Sequence, residues 1–193
     1  MKKVTFKVIT VLALSVLTAN TFAADLKKEA KHDVQVTIKE HSLVGLSSEQ
    51  QIELQPEAPE FAGEGLNFNT TSSTNSSIWL NYSSIIDESA NSISVSMDGD
   101  ILPLGVTIEL AAGSDAGKGM GEVGQSATGT VAIVLSDVGQ TLISEINNCY
   151  TGTGDGAGHQ LTYSLKMNQT TDNYKALTSD SFTTTILYTI TDN

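Results

Sequence analysis

The sequence predicts an all-β fold: an antiparallel β-sandwich with Greek-key or immunoglobulin-like connections. Three observations carry this reading. Apolar residues alternate with Ser, Thr and other polar residues through most of the chain, as in strands with one buried face. Stretches rich in Gly, Asn, Ser and Thr separate these runs and supply turn chemistry. No repeat of fixed period is evident, which argues against a solenoid or propeller. About nine strands and one short helix are expected, the number a single sandwich holds.

The elements follow in chain order. Met1-Lys2-Lys3 and Lys7 precede a ten-residue apolar run at 8–17, and Thr21-Phe22-Ala23 offers small residues for cleavage. This is the pattern of a secretory leader over residues 1–23. Its apolar run is short of the roughly 20 residues that cross a bilayer. No later run approaches that length, so no membrane insertion of the mature chain is expected. Residues 24–33 are polar and lysine-rich and predict a flexible arm. Residues 34–193 predict one sandwich domain. Within it Val34, Val36 and Ile38 alternate with polar residues, as do Ile52 and Leu54, then Leu66 and Phe68. Ile78, Leu80 and Tyr82 share one face, with Trp79 and Asn81 on the other. Ile93, Val95 and Met97 form the next strand pattern, followed by Val106, Ile108 and Leu110. Asp98-Gly99 between these two patterns is a hairpin signal. Residues 130–135 are apolar on both faces and predict a central strand. Ser136 as N-cap, Asp137 in the first turn, and Val138, Leu142, Ile143 and Ile146 on one face predict the short helix, which Gly139 weakens. Leu161, Tyr163, Leu165 and Met167, then Phe182, Thr184, Ile186, Tyr188 and Ile190, complete the strands.

Charge excludes several partners. The chain has no arginine, and three of its ten lysines leave with the leader, so seven lysines face 22 acids. Four of the seven (Lys27, Lys28, Lys31, Lys39) flank or precede the first alternating segment. Nucleic-acid affinity comes mostly from basic contacts to phosphate, so no nucleic-acid partner is expected. The missing Arg also removes the bidentate fork for phosphate or carboxylate. Cys149 is the lone cysteine. It allows no intrachain disulfide and is expected to be buried as a small hydrophobe.

The motifs favour no catalysis, no cofactor and no metal. Gly119-Met120-Gly121-Glu122-Val123-Gly124 spells a dinucleotide fingerprint, but the helix that must follow is missing from the pattern of Gln125-Ser126-Ala127-Thr128-Gly129. The same stretch misses the nucleophile elbow of a hydrolase at its last position. Asp155 and His159 stand four apart in a glycine-rich loop, too few ligands for zinc. Asp98 and Asp100 give calcium two carboxylates, without the loop spacing of a calcium site. Trp79 and Tyr82 are expected in the inter-sheet core, with a sugar platform as the competing reading.

The two ends of the chain carry a resemblance. Asp33-Val34-Gln35-Val36-Thr37-Ile38 alternates beside an arm, and Phe182-Thr183-Thr184-Thr185-Ile186-Leu187-Tyr188-Thr189-Ile190 closes the chain. With the leader and the Ser/Thr-rich strands, the sequence resembles bacterial fimbrial, pilin-like β-sandwich subunits, nearest in style to those poor in cysteine. Trp79-Leu80-Asn81-Tyr82-Ser83 and the segments 149–152, 158–163 and 188–193 are similar to blocks of small exported proteins without assigned function. The resemblance implies an exported fimbrial or adhesion protein at the cell surface, in the periplasm or outside the cell. It also implies strand exchange with like subunits, through Val34, Val36 and Ile38 on one side and Phe182, Ile186, Tyr188 and Ile190 on the other. The paired cysteines common in chaperone–usher subunits are missing. The alternative is a secreted glycan- or calcium-binding module.

Overall fold

The computed structural model describes residues 29–129 and 131–191. The expected leader and residues 24–28 of the arm lie outside the described residues. Contacts divide the chain at the Thr37–Ile38 junction. Before it, residues 29–37 take no helix or strand. After it come eleven strands and one short helix, in two antiparallel sheets. The fold is the expected all-β sandwich.

The strands are β1 (His41–Leu46), β2 (Thr74–Ile85), β3 (Asn91–Gly99), β4 (Val106–Asp115), β5 (Met120–Gly121) and β6 (Gln125–Ser126). They continue with β7 (Ile133–Val134), β8 (Gln140–Ile146), β9 (Cys149–Tyr150), β10 (His159–Met167) and β11 (Thr184–Thr191). The larger sheet runs β5-β9-β2-β10-β4-β7, with β1 also paired to β2; the smaller runs β11-β3-β8-β6. Consecutive long strands therefore change sheets, β2 to β3 and β3 to β4. The inward rows of Leu80, Ile93, Leu110, Leu142, Ile143, Ile146 and Leu161 are fully buried, which supplies most of the driving force for closing two sheets on each other.

Several local expectations are overturned. The helix expected after Ser136 is strand β8, and the short helix is α1 (Thr171–Lys175). Pairing of β8 with β3 shifts register between Asn91 and Ile93 and again between Ile93 and Ser94, and Glu145 has φ 60. Such bulges bring neighbours to the same side. Here they bury Leu142, Ile143 and Ile146 together, imitating a helical stripe. Helix α1 starts where Thr170 accepts a hydrogen bond from the Asn173 N–H, with Asp172 in its first turn and Lys175 in its last, a capped turn hidden in a polar stretch.

The run 130–135 is not central. Only Ile133 and Val134 pair, with Leu110 and Glu109 of β4, at the rim of the larger sheet. Val131 and Val134 are exposed. Asp98-Gly99 is not a two-residue hairpin. β3 and β4 lie in different sheets, and the Asp98 and Gly99 positions pair with Thr185 and Thr184 of β11. Residues 52, 54, 66 and 68 form no named strand, yet Phe68 is buried and Ile52, Leu54 and Leu66 pack against the core. β1, unforeseen in the sequence, turns Ser42, Val44 and Leu46 toward the interior and leaves Leu43 exposed. Ser42 Oγ there accepts from Nδ2 of the buried Asn91 at 2.7 Å.

Candidate functional site

The residues expected to exchange strands fall into two groups. Val34, Val36 and Ile38 form no strand and are 73%, 79% and 80% exposed. The expected strand is not formed because these residues have no ladder partner among the described residues. Phe182 lies just before β11 and is partly exposed. Ile186, Tyr188 and Ile190 point inward and pack against the core. The Tyr188 and Tyr163 hydroxyls lie 2.6 Å apart, anchoring β11 to β10 of the other sheet. Burial holds both phenols protonated well above their ordinary range. β11 ends its sheet, and among the described residues its ladder partner is β3 alone. No charged residue, Pro or Gly interrupts it, so its own sequence carries none of the usual protections of an exposed edge, although β1 lies alongside.

A second feature was not foreseen. At the opposite rim, β7 covers β4 only at Glu109 and Leu110. Beyond it lies a cleft of about 280 Å³, walled by Ala112, Gly113, Asp115, Gln125, Ser126 and His159 among others. His159 is completely buried. Its Nδ1 lies 2.8 Å from the Gly113 carbonyl oxygen and its Nε2 lies 2.9 Å from the Tyr82 hydroxyl. A carbonyl only accepts, so Nδ1 carries the proton and the neutral ring takes the Tyr82 O–H at Nε2. The Tyr82 oxygen in turn accepts the Gly124 N–H at 3.0 Å. The two rings are nearly parallel, 11° apart, with centroids 5.7 Å apart. This chain joins β2 and β10 of one sheet to the segment entering β6 of the other.

Asp115 stands directly across the β4–β10 ladder from His159, so both side chains share a face. Its Oδ2 accepts the Gly117 N–H at 2.8 Å. Its Oδ1 is buried and has no hydrogen-bond partner. Burial, the largest influence, lowers the His159 pKa below 6.5, against the raising effects of the Gly113 bond and the Asp115 charge. Above pH 6.5 neither state binds this proton. As the pH falls below 6.5 the unfolded chain is protonated first, so stability declines toward the folded pKa by up to about 1.4 kcal/mol per pH unit. Chemical denaturation at pH 7.5, 6.5 and 5.5 should show this loss in wild type. It should be smaller in His159→Gln relative to that variant's own value at pH 7.5. An equal slope in both would place the acid sensitivity elsewhere.

The remaining sequence candidates are structural in their surroundings. Asp155 is exposed while His159 is interior, so the two share no ligand position. Asp100 closes a two-bond contact with Thr183: its N–H donates to the Thr183 carbonyl and its Oδ2 accepts the Thr183 N–H. No group of three or more metal-ligating side chains occurs among the described residues. The glycines at 119 and 121 let β5 approach β9: a Cβ at either would run into the main chain of residues 148–151. Gly124 leads into β6 rather than a helix. Tyr82 is buried, and Trp79 is half-buried on the other face of β2, so the two make no common platform. No helix among the described residues is long and apolar enough to cross a membrane.

Cys149 is buried. Burial first, and the Asp115 charge second, push its thiol up to about 11. At neutral pH the thiolate is scarce. Native protein at pH 7.5 is therefore expected to resist a thiol reagent and to react at the denatured rate once unfolded. Cys149→Ala should cost on the order of 1 kcal/mol. Rapid labelling of the native state would place the thiol at the surface instead. No protein-family model, curated protein or solved structure matches the chain.

Proposed function

We propose that this is a non-catalytic exported structural or adhesion protein, a fimbrial or other surface-assembly subunit, that joins copies of itself by strand addition. One observation carries the reading. Val34, Val36 and Ile38 present an alternating apolar row, almost fully exposed and unpaired among the described residues. Such a row is costly to leave in water and has the period of a strand that fills alternate pockets. The acceptor is the outer edge of β11 in a neighbouring copy, where β3 is the one ladder partner among the described residues, β1 lies alongside, and the strand's sequence is uncharged. Charge favours the pairing modestly, because residues 24–39 hold four lysines against three acids while from residue 40 onward three lysines face 19 acids.

Deletion of residues 24–39 tests it. The truncated domain is expected to keep its melting temperature, since the removed apolar side chains at 34, 36 and 38 are exposed, and to lose oligomers in sedimentation and cross-linking. A peptide of residues 24–39 should bind the truncated domain, and Val34→Asp with Val36→Asp in the peptide should abolish that binding. Oligomers that survive the deletion, or a full-length protein that stays monomeric at high concentration, would remove the proposal. A second reading, a glycan-binding module, is favoured by the side chains of Asp115, Gln125 and Ser126 on the wall of the cleft. It predicts a monomer whose melting temperature rises with added saccharide by mass action.

A further inference from the structure

The buried cluster at the floor of the cleft is one donor short. Its donors are the Gly124 N–H, the Tyr82 O–H and the His159 Nδ1–H. Its acceptors are the Tyr82 oxygen, His159 Nε2, the Gly113 carbonyl and Asp115 Oδ1, and the last goes without. Among the described residues Asp115 Oδ1 is the only buried side-chain polar atom so placed. A buried acceptor without a donor costs free energy comparable to a lost hydrogen bond. One added proton changes the count. An imidazolium presents a donor at both ring nitrogens. Nε2–H then donates to the Tyr82 oxygen, which also keeps the Gly124 N–H on its second lone pair. The Tyr82 O–H is released from His159 and needs an acceptor. Asp115 Oδ1 is the vacant one.

We propose that Tyr82, His159 and Asp115 form a proton-driven switch, in which uptake of one proton at His159 turns the Tyr82 hydroxyl from His159 to Asp115 and draws Asp115 toward the cluster. No covalent bond to a heavy atom breaks: the proton comes from solvent and occupies the Nε2 lone pair, and Tyr82 keeps its own. Asp115 moves with the turn it anchors, because its Oδ2 holds the Gly117 N–H. The wall of the cleft formed by residues 112–115 therefore differs between the two states, facing Gly124, Gln125 and Ser126 across the opening.

The groups around the cluster permit the switch. Tyr82 on β2 is held protonated by burial. Cys149 on β9, which acts on Tyr82, is an uncharged thiol at neutral pH because burial raises it. Asp115 on β4 contributes negative charge that favours the imidazolium. The segment entering β6 presents the Gly124 main chain. Burial delays protonation, setting the transition on the acid side of pH 6.5. This inference concerns a different part of the molecule from the strand-exchange surface and stands without it.

Histidine nitrogen and carboxylate carbon NMR on the wild-type chain tests the switch without substitution. At pH 7.5 His159 is expected as the Nδ1–H tautomer. On acidification it should titrate on the acid side of pH 6.5. The Asp115 carboxylate, the Tyr82 ring carbon bearing oxygen and the Gly124 amide should shift with the His159 midpoint, in a protein still folded by its methyl spectrum. Asp115→Asn should lower that midpoint, because the carboxylate charge favours the imidazolium. Tyr82→Phe should uncouple the Asp115 shift from His159. The proposal is overturned if the Asp115 and Tyr82 signals hold still until global unfolding, or if Asp115→Asn leaves the His159 midpoint in place.

Discussion

Leu80→Ala should destabilise the domain by about 3–5 kcal/mol, the upper part of the range for a leucine removed from a packed interior. Leu80 is fully buried, and its position in β2 leaves the cavity little freedom to collapse. On one side it pairs with His159 of β10, on the other with Leu46 of β1. Both ladders would have to give for neighbouring side chains to close the void, and closely packed interiors relax only partially. Urea denaturation should show a lower midpoint with an unchanged slope, since the surface exposed on unfolding is nearly the same. A loss below about 1.5 kcal/mol would mean that the site refills, and that the β1–β2–β10 framework is looser than its pairing indicates.

Gly158→Ala is the second large effect, through the main chain of the same leucine. Gly158 has φ 71, a conformation that costs an ordinary residue about 1–2 kcal/mol. A Cβ there would also collide with the Leu80 carbonyl oxygen, a main-chain atom that cannot swing aside like a side-chain end. Strain and overpacking together should cost about 3 kcal/mol. Gly156 supplies the control: its φ is 73, yet a Cβ added there would meet nothing within 4 Å. Gly156→Ala should therefore cost only the conformational part, about 1–2 kcal/mol. Equal losses at the two positions would refute the role of the Leu80 contact. A perturbation at Gly158 should also reach the cleft, because His159 follows it in the chain.

The acid sensitivity assigned to His159 was not legible in its neighbourhood in sequence. Gly158-His159-Gln160 offers no partner for an imidazole. Each atom that holds the ring comes from far along the chain: Tyr82 from β2, Gly113 and Asp115 from β4, Gly124 from the approach to β6. The sequence placed Tyr82 inside by its alternation with Trp79 and Asn81, but said nothing of which polar group would meet its hydroxyl. The signal in retrospect is a histidine on the inward row of an otherwise apolar strand, His159, Leu161, Tyr163 and Leu165, which must find partners where it is buried.

Residue alternation determined the fold class and the long strands β2, β3, β4, β10 and β11, because side chains on a strand point to opposite faces every residue and one face must leave water. It also set the chemistry of the surface, acid-rich and without arginine, since charge counts need no coordinates. Tertiary structure decided what period two cannot encode. It turned Leu142, Ile143 and Ile146 of the expected stripe into a bulged strand and left Val138 exposed before it, because pairing with β3 outweighed a weak helical preference broken by Gly139. It sent the apolar run around Ile133 to a rim, where only two residues pair and burial on both faces is not available. It left Val34, Val36 and Ile38 in water, because a strand exists only where another edge offers hydrogen bonds. And it brought Tyr82, Asp115 and His159 together, because ladder register between strands distant in sequence, and not spacing along the chain, fixes which polar atoms meet in the interior.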